Sequence, residues 1–399
     1  MKIAVIGGGA SGMTAAISAA RCGGEVTIYE RFDRVGKKIL ATGNGRCNLT
    51  NINADICNYH GADTEFIRYT LNSFWVKESL AFFKELGLLY KAEDDGKVYP
   101  YSNVAASVLD VLRLELERLG VKFEYQFEAK SVRKVKNEFI IESYTGSTAA
   151  ADRVIVAAGG KASPALGSNG SGYPILESFG HRLTELNPSL VQIKLKNNPF
   201  KSLNGLKVDA VISLKNGTEN KGEVLFTDYG ISGPAVFEIS GSVGKEPSAQ
   251  ITLDLMKEYS KEEVFEILKH HRKVFRVVDE LFCGIFAKRI GQVIVKNSID
   301  CKLNADIKTL TDSDLKKISD TVKAFTVVAD GTMSWNNAQV TAGGIEVSGF
   351  NPKTFESKFA EGLYATGEVL DIDGDCGGYN LQWAWSSGYI AGRNAVENG

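Results

Sequence analysis

The sequence predicts an α/β fold organised around a βαβ unit, and three stretches carry that prediction. KIAVIG at the N-terminus is a short apolar strand, GGGASG follows, and MTAAISAARCG reads as an alanine-rich helix leading into a second strand, EVTIYE. DRVIVAAGG, residues 152–160, is a further apolar strand ending in glycines. GLYATGEVLDIDGDCGGYNLQWAWSSGYIAG, residues 362–392, adds a strand, glycine-bearing turns and a helix near the C-terminus.

In the first stretch Gly7, Gly9 and Gly12 fill a GxGxxG pattern between strand and helix, the context in which that pattern has physical meaning. Gly7 suits the tight turn, Gly9 lets backbone approach a pyrophosphate, and Gly12 allows close helix packing. Ala10 and Ser11 begin the helix, whose amides and positive end favour phosphate. Glu30 ends the second strand about twenty residues on, where a carboxylate accepts hydrogen bonds from ribose hydroxyls, with Arg31 beside it. This is a Rossmann-type dinucleotide site.

The other two stretches discriminate between FAD and NAD. Residues 152–160 lack the GxGxxG spacing and a following acid-ended strand, so Ala158, Gly159 and Gly160 read as a loop laid against FAD, as in flavoproteins of the glutathione-reductase type. The third stretch resembles the distal FAD fingerprint of that superfamily. There the Glu368 carboxylate after Gly367 would bond the ribityl chain, and Gly378, Tyr379, Asn380 and Leu381 would open a helix facing the pyrimidine edge of the flavin. A helix N-terminus there stabilises the negative charge of reduced flavin. No cysteine or histidine lies in an evident flavinylation sequence, so noncovalent FAD is expected, with NADH or NADPH as candidate transient electron donors.

KKILATGNGRCNLTN, residues 37–51, is rich in glycine and asparagine and reads as a loop wrapped around the cofactor, bringing Lys37, Asn44, Gly45, Arg46, Cys47 and Asn48 to it. With GEVLFTDYGISGPAVFEIS (222–240), TAGGIEV (341–347) and the C-terminal stretch, this motif resembles the BaiN/YhiN-like flavoproteins nearly end to end. The resemblance implies an FAD-dependent oxidoreductase; the family includes an aminoacetone oxidase and a reductase of unsaturated 3-oxo steroid intermediates. One departure is Asp228, where the family usually carries histidine.

Pattern shifts divide the remainder. The expected FAD-binding domain is 1–187 and 338–399, interrupted by a β-rich insert over 188–256 and 324–337, itself interrupted by a helical cap over 257–323, with Ser260 and Thr311 as N-caps. Within the FAD domain, Glu65–Leu86 and Val104–Leu119 have helical spacing. VKFEYQF and NEFIIES read as a small antiparallel layer.

Composition narrows the function classes. The 399 residues are 44% hydrophobic and 24% charged with formal net charge -2, giving no basic field to attract nucleic acid or an anionic membrane. No apolar run approaches the about 20 residues of a membrane span. Only Met1 and Lys2 precede the first strand, leaving no room for a secretory signal, so a cytoplasmic location is expected. The six cysteines lack CxxC spacing, which argues against zinc or a disulfide framework, and neighbouring His270 and His271 would point to different helix faces, so no metal is expected. Cys47, Cys376 and Tyr379 are the candidate catalytic side chains, with Tyr229 and Asp228 as further acids, each equally at home as a packing or turn residue. The favoured function is hydride transfer at flavin N5 to or from a small molecule held between the FAD domain and the insert, by reduction of an activated C=C bond or oxidation of an amine or alcohol carbon. The alternative is a flavin-dependent tRNA-modifying or FAD-sensing protein whose insert binds a macromolecule.

Overall fold

The computed structural model describes residues 1–397, except the side chain of Leu71. They divide into two compact units, Met1–Asn187 with Gln339 onward, and Pro188–Ala338.

The first unit is built on Lys2–Ile6 (β1), Ala10–Arg21 (α1), Glu25–Glu30 (β2), the short helix Lys37–Ala41 (α2), Lys122–Tyr125 (β3), Arg153–Val156 (β4), Leu363–Ala365 (β5) and the C-terminal helix Tyr379–Glu397 (α3). The strands form a five-stranded parallel sheet in the order β5-β4-β1-β2-β3. β1 and β4 are uninterrupted apolar runs because inner strands of a parallel sheet are covered on both faces. β1, β4 and β5 all end in glycine-bearing loops on one edge, where ligands of such sheets bind.

α1 and α3 pack through small residues. A Cβ on Gly388 would stand 2.3 Å from the carbonyl oxygen of Ser11, and one on Gly392 would stand 2.1 Å from that of Ala15. The alanines and glycines of the two helices therefore set their close approach, and α3 delivers its N-terminal end to the same edge as the β1–α1 turn.

Several local expectations are corrected. VKFEYQF is not part of the antiparallel layer: Lys122–Tyr125 pairs in parallel with β2, Thr27 opposite Lys122, and extends the main sheet. The layer consists instead of Ala129–Val135, Glu138–Ser143 and Thr148–Ala151. Residues 37–51 are not all loop, since the good helix formers KKILA make one turn of helix before the chain enters left-handed conformations at Asn44 and Cys47. The helical stretch 65–86 is broken into Ile67–Ser73 and Val76–Glu85, with Phe74 and Trp75 extended between them.

In the second unit six strands close a barrel in the order Ile193–Leu195, Gly230–Ser232, Glu219–Phe226, Lys207–Leu214, Gln250–Asp254 and Phe325–Thr332. Helices over 257–323 do not form a separate cap. Val264, Leu268, Leu315 and Ile318 are buried in one apolar cluster with barrel residues Ile212, Phe226 and Leu253, so a single core holds both. Ser260 and Thr311 cap Lys261–Val274 and Asp312–Lys323, each accepting from the backbone three residues on.

A buried histidine gives the first unit an acid sensitivity. His181 is 4% exposed, stacks on Phe350 at 4.2 Å and has Nε2 within 2.8 Å of Ser357 Oγ. Burial pulls its pKa down to about 4. The neutral ring suits the fold at pH 7, while the unfolded chain takes up the proton near pH 6.5, so stability falls as pH drops from about 6.5 towards 4. Between pH 7 and 4.5 His181 is expected to remove about 2 to 3 kcal/mol. Urea unfolding of wild type and His181→Phe at the two pH values checks this, the variant lacking that part of the pH dependence.

Candidate functional site

The β1–α1 turn is shaped by backbone contact. Gly7 has φ 105°, and a Cβ there would lie 2.5 Å from the Ala157 carbonyl oxygen, so the turn presses directly on the end of β4. Gly12 lies against Gly7 itself. By contrast, a Cβ on Gly9 would meet no atom within 4 Å.

Gly9 is the N-cap of α1, and no side chain among the described residues caps it. Ser11 Oγ points instead to the Thr366 carbonyl at 3.4 Å. Ser11 and Gly12 are buried while Gly9 and Ala10 are partly exposed, so the uncapped end of the helix opens at Gly9. The uncapped, positive helix end and the open space at Gly9 are features that suit an anion.

Glu30 holds this turn from the next strand. Its Oε2 accepts the Gly8 N–H at 2.8 Å and its Oε1 the Phe32 N–H at 3.0 Å. Arg31 turns away to Glu128 and the Gly167 carbonyl.

The β4 and β5 loops are locked together by a cluster that motif reading missed. Thr341 Oγ1 accepts the N–H groups of Lys161 and Ala162 at 2.8 and 3.0 Å, and the Thr341 N–H donates to Glu368 Oε1 at 2.8 Å. Lys38 Nζ bonds Glu368 Oε2 at 2.8 Å. A Cβ on Gly160 would strike this cluster, 2.4 Å from Thr341 Oγ1. Both Glu368 oxygens are thus engaged within the protein, which makes the residue a tie between α2 and the β5 loop. It is Lys38 that reaches Glu368, while the Lys37 ammonium pairs with Asp33 at 3.0 Å and sits over the Phe32 ring. One turn of helix at α2 decides which of the two adjacent lysines reaches Glu368. Gly367 is held by Ser387 Oγ, and its carbonyl accepts from Trp383 Nε1 at 3.1 Å.

In the loop after α2, Arg46 pairs with Glu93 at 2.9 Å and lies over the Tyr99 ring. Asn44 and Gly45 take positive φ. Cys47 is fully buried and its thiol is pushed up to about 12 by that burial, which keeps it protonated near neutral pH. With iodoacetamide at pH 8, mass spectrometry is expected to find the exposed Cys57 and Cys283 alkylated and Cys47 unmodified in the folded protein.

The start of α3 is pinned just as tightly. A Cβ on Gly378 would lie 2.6 Å from the Thr50 carbonyl carbon, so a bulky residue there breaks a protein contact before it could report on any ligand. Asn380 spends its amide on the Gly374 backbone at 2.8 and 2.7 Å. The Tyr379 carbonyl accepts from Tyr59 OH, and Leu381 packs on the core. Beneath them the buried Gln382 accepts from Thr50 Oγ1 at 2.6 Å and donates to Ser79 and Ser386. Cys376 is half-buried beside this turn. Asp228 and Tyr229 lie in a turn of the barrel, where their carbonyls accept backbone-ordering bonds from Asn198 and Leu195. His271 bonds the Leu281 carbonyl.

Comparison with known proteins agrees with this architecture. A family model described as the HI0933-like protein Rossmann domain matches residues 1–394. The chain is 41% identical over 408 residues to a 3-dehydro-bile acid delta(4,6)-reductase of Clostridium scindens, covering 99% of each. It is 28% identical over 391 residues to a ribosomal RNA dihydrouridine synthase of Haemophilus influenzae, covering 96% of each. Among solved structures, 3-ketosteroid-delta4-(5alpha)-dehydrogenase from Rhodococcus jostii RHA1 has a TM-score of 0.50 at 15% identity, covering 99% of this chain and 96% of that one. FrdA of Escherichia coli quinol fumarate reductase has a TM-score of 0.51 at 13% identity, covering 100% of this chain and 70% of that one. These two share the fold. Matched by the family model along almost its whole length and by the Clostridium reductase from end to end, the chain belongs to the HI0933-like family of Rossmann-type, FAD-binding oxidoreductases.

Proposed function

We propose that this protein binds FAD noncovalently and reduces a carbon–carbon double bond conjugated to a carbonyl in a small molecule. The observation that carries the cofactor part is the uncapped N-terminus of α1 beside the open space at Gly9. Gly7, Gly12 and Glu30 shape that space, a fit to the pyrophosphate and ribose of a dinucleotide. Ser11, Ala10 and Gly9 would receive the pyrophosphate, and the loops at 44–48, 158–160 and 378–381 would surround the isoalloxazine. Bound FAD supplies the electron pair for reduction as hydride. The protein contributes donors, shape and exclusion of water.

The end-to-end relative at 41% identity supports the substrate class, because a 3-dehydro, delta(4,6) bile acid carries alkenes conjugated to a ketone. A second reading has one observation in its favour, the relatives at 28% identity named for ribosomal RNA dihydrouridine synthesis. Dihydrouridine also arises by saturating a C=C bond beside a carbonyl, so the two readings share their chemistry and differ in substrate size. The net charge of -2 favours the small molecule.

Anaerobic stopped-flow tests this directly. The flavin is reduced with NADH or NADPH and then mixed with a 3-oxo-delta4 steroid, with a uridine-containing RNA, or with buffer, and oxidised protein is mixed separately with a primary amine. Rapid reoxidation by the steroid alone is the expected result. Reoxidation by RNA alone moves the assignment to the second reading, and bleaching of oxidised flavin by an amine, with no response to either acceptor, overturns both.

A further inference from the structure

A histidine and an aspartate meet just ahead of α3. The short strand Tyr59–His60 runs antiparallel to Asp373–Gly374, with His60 opposite Asp373. In the next residue of that segment, Asp375 Oδ1 lies 2.6 Å from His60 Nε2. Asp375 is itself fixed: Asn58 Nδ2 donates to its Oδ2 at 3.1 Å, its N–H bonds the Asn58 carbonyl at 2.9 Å, and Asn380 Nδ2 reaches its carbonyl at 3.3 Å. Two further carboxyl groups belong to the same segment, Asp373 and Asp371, the latter accepting the Ala62 N–H at 3.3 Å, and both are buried.

The pair itself is open. The His60 side chain is 56% exposed and that of Asp375 27%, so water or a ligand can reach both. An exposed ion pair adds little stability. The bonds that fix Asp375 are therefore out of proportion to a stabilising role, and suit a pair whose geometry has to be kept. Asp375 also belongs to the loop that runs into 378–381, the segment placed at the isoalloxazine in the proposed function.

Saturating an alkene conjugated to a ketone takes a proton as well as a hydride. Histidine, with an ordinary pKa of about 6.5, can give a proton at neutral pH and recover it from water. A carboxylate bonded to the ring orients it and stabilises the imidazolium. We propose that His60, oriented by Asp375, is the acid of this reaction: hydride from reduced flavin goes to the carbon β to the ketone, the alkene electron pair shifts towards the ketone, and the α carbon takes its proton from the His60 imidazolium. Water then returns a proton to the ring. The alkene is reduced, the flavin oxidised and the histidine regenerated, with Asp375 as a positioning residue. This rests on the function proposed above and supplies the proton donor for it.

The first test is a footprint on wild type loaded with FAD. Diethyl pyrocarbonate acylates exposed histidines and mass spectrometry locates them. A saturated 3-oxo steroid at about ten times its Kd should slow acylation of His60 about tenfold and leave the exposed His270 of the insert unaffected. The second is stopped flow. His60→Ala should slow reoxidation of reduced flavin by a 3-oxo-delta4 steroid about a hundredfold or more, leave reduction by NADH or NADPH and reoxidation by ferricyanide unchanged, and regain part of the lost rate when imidazole is added. Asp375→Asn should slow the same step less and move the falling limb of its pH profile to lower pH, the sign expected when an imidazolium loses its carboxylate. An unchanged reoxidation rate in His60→Ala overturns the proposal, as does acylation of His60 that ignores the bound steroid, and an unmoved limb in Asp375→Asn overturns the positioning role. If the alanine variant fails to fold or to hold FAD, the wild-type footprint decides. Wild-type reduced flavin that the steroid does not reoxidise overturns the proposed function itself, and the role of His60 with it.

Discussion

Gly12→Ala is expected to abolish FAD retention through purification. The added methyl would lie 2.0 Å from the Gly7 carbonyl oxygen, a backbone atom that cannot rotate away, so α1 must move off the turn that cradles the pyrophosphate. Overpacking of this kind costs about 1 to 3 kcal/mol, and 3 kcal/mol spent on the binding geometry alone corresponds to about a hundredfold in affinity. Gly9→Ala is the matched control. Its methyl meets no protein atom within 4 Å, and Gly9 has φ -83°, which alanine adopts freely. Stability should change by no more than about 1 kcal/mol, the difference between the two residues at an N-cap, whereas FAD affinity should fall because the methyl enters the space assigned to phosphate. Thermal melts of apoprotein and FAD titration separate the two effects. Equal FAD affinity in Gly9→Ala and wild type would remove the pyrophosphate from this turn.

Glu30→Ala should weaken FAD at least tenfold and also destabilise the apoprotein. In the folded chain the carboxylate already accepts from Gly8 and Phe32, and hydrogen bonds to a charged acceptor are worth about 1.5 to 3 kcal/mol each. Losing both leaves two backbone donors unsatisfied around the glycine turn, for a stability loss of about 2 kcal/mol or more. Glu30→Gln retains one acceptor oxygen and should recover part of the stability but less of the ribose affinity, since the charge assistance is gone. Calorimetric titration with FAD and urea unfolding of apoprotein give the two numbers. Unchanged FAD affinity in Glu30→Ala would sink the ribose assignment.

The cofactor loops were legible in the sequence because glycines mark places where backbone meets backbone. Gly7 and Gly12 have contacts that exclude any side chain, and they stand in a local βαβ pattern of strong periodicity. The polar side chains between those loops were not legible. Thr341 lies 180 residues from Lys161, whose N–H it accepts, and Glu368 lies 330 residues from Lys38. Neither partner carries a local signal of the other. Likewise the apolar alternation of VKFEYQF announces a strand but not its neighbour, because pairing with β2 depends on which sheet edge the preceding helix, Ala105–Arg118, returns the chain to.

What the sequence by itself determined, then, is whatever acts over a few residues: the strand–glycine–helix unit, the acid that ends β2, the N-caps Ser260 and Thr311, and the family to which their order belongs. Tertiary structure alone decided that Lys38 and not Lys37 reaches Glu368, that Cys47 is sealed from water with its thiol protonated, and that the insert's helices and barrel share one core. The physical reason is the same in each case. Helix phase, desolvation and hydrogen-bond satisfaction belong to the groups that surround a residue, and those groups come from other segments of the chain, as far apart as Lys38 and Glu368.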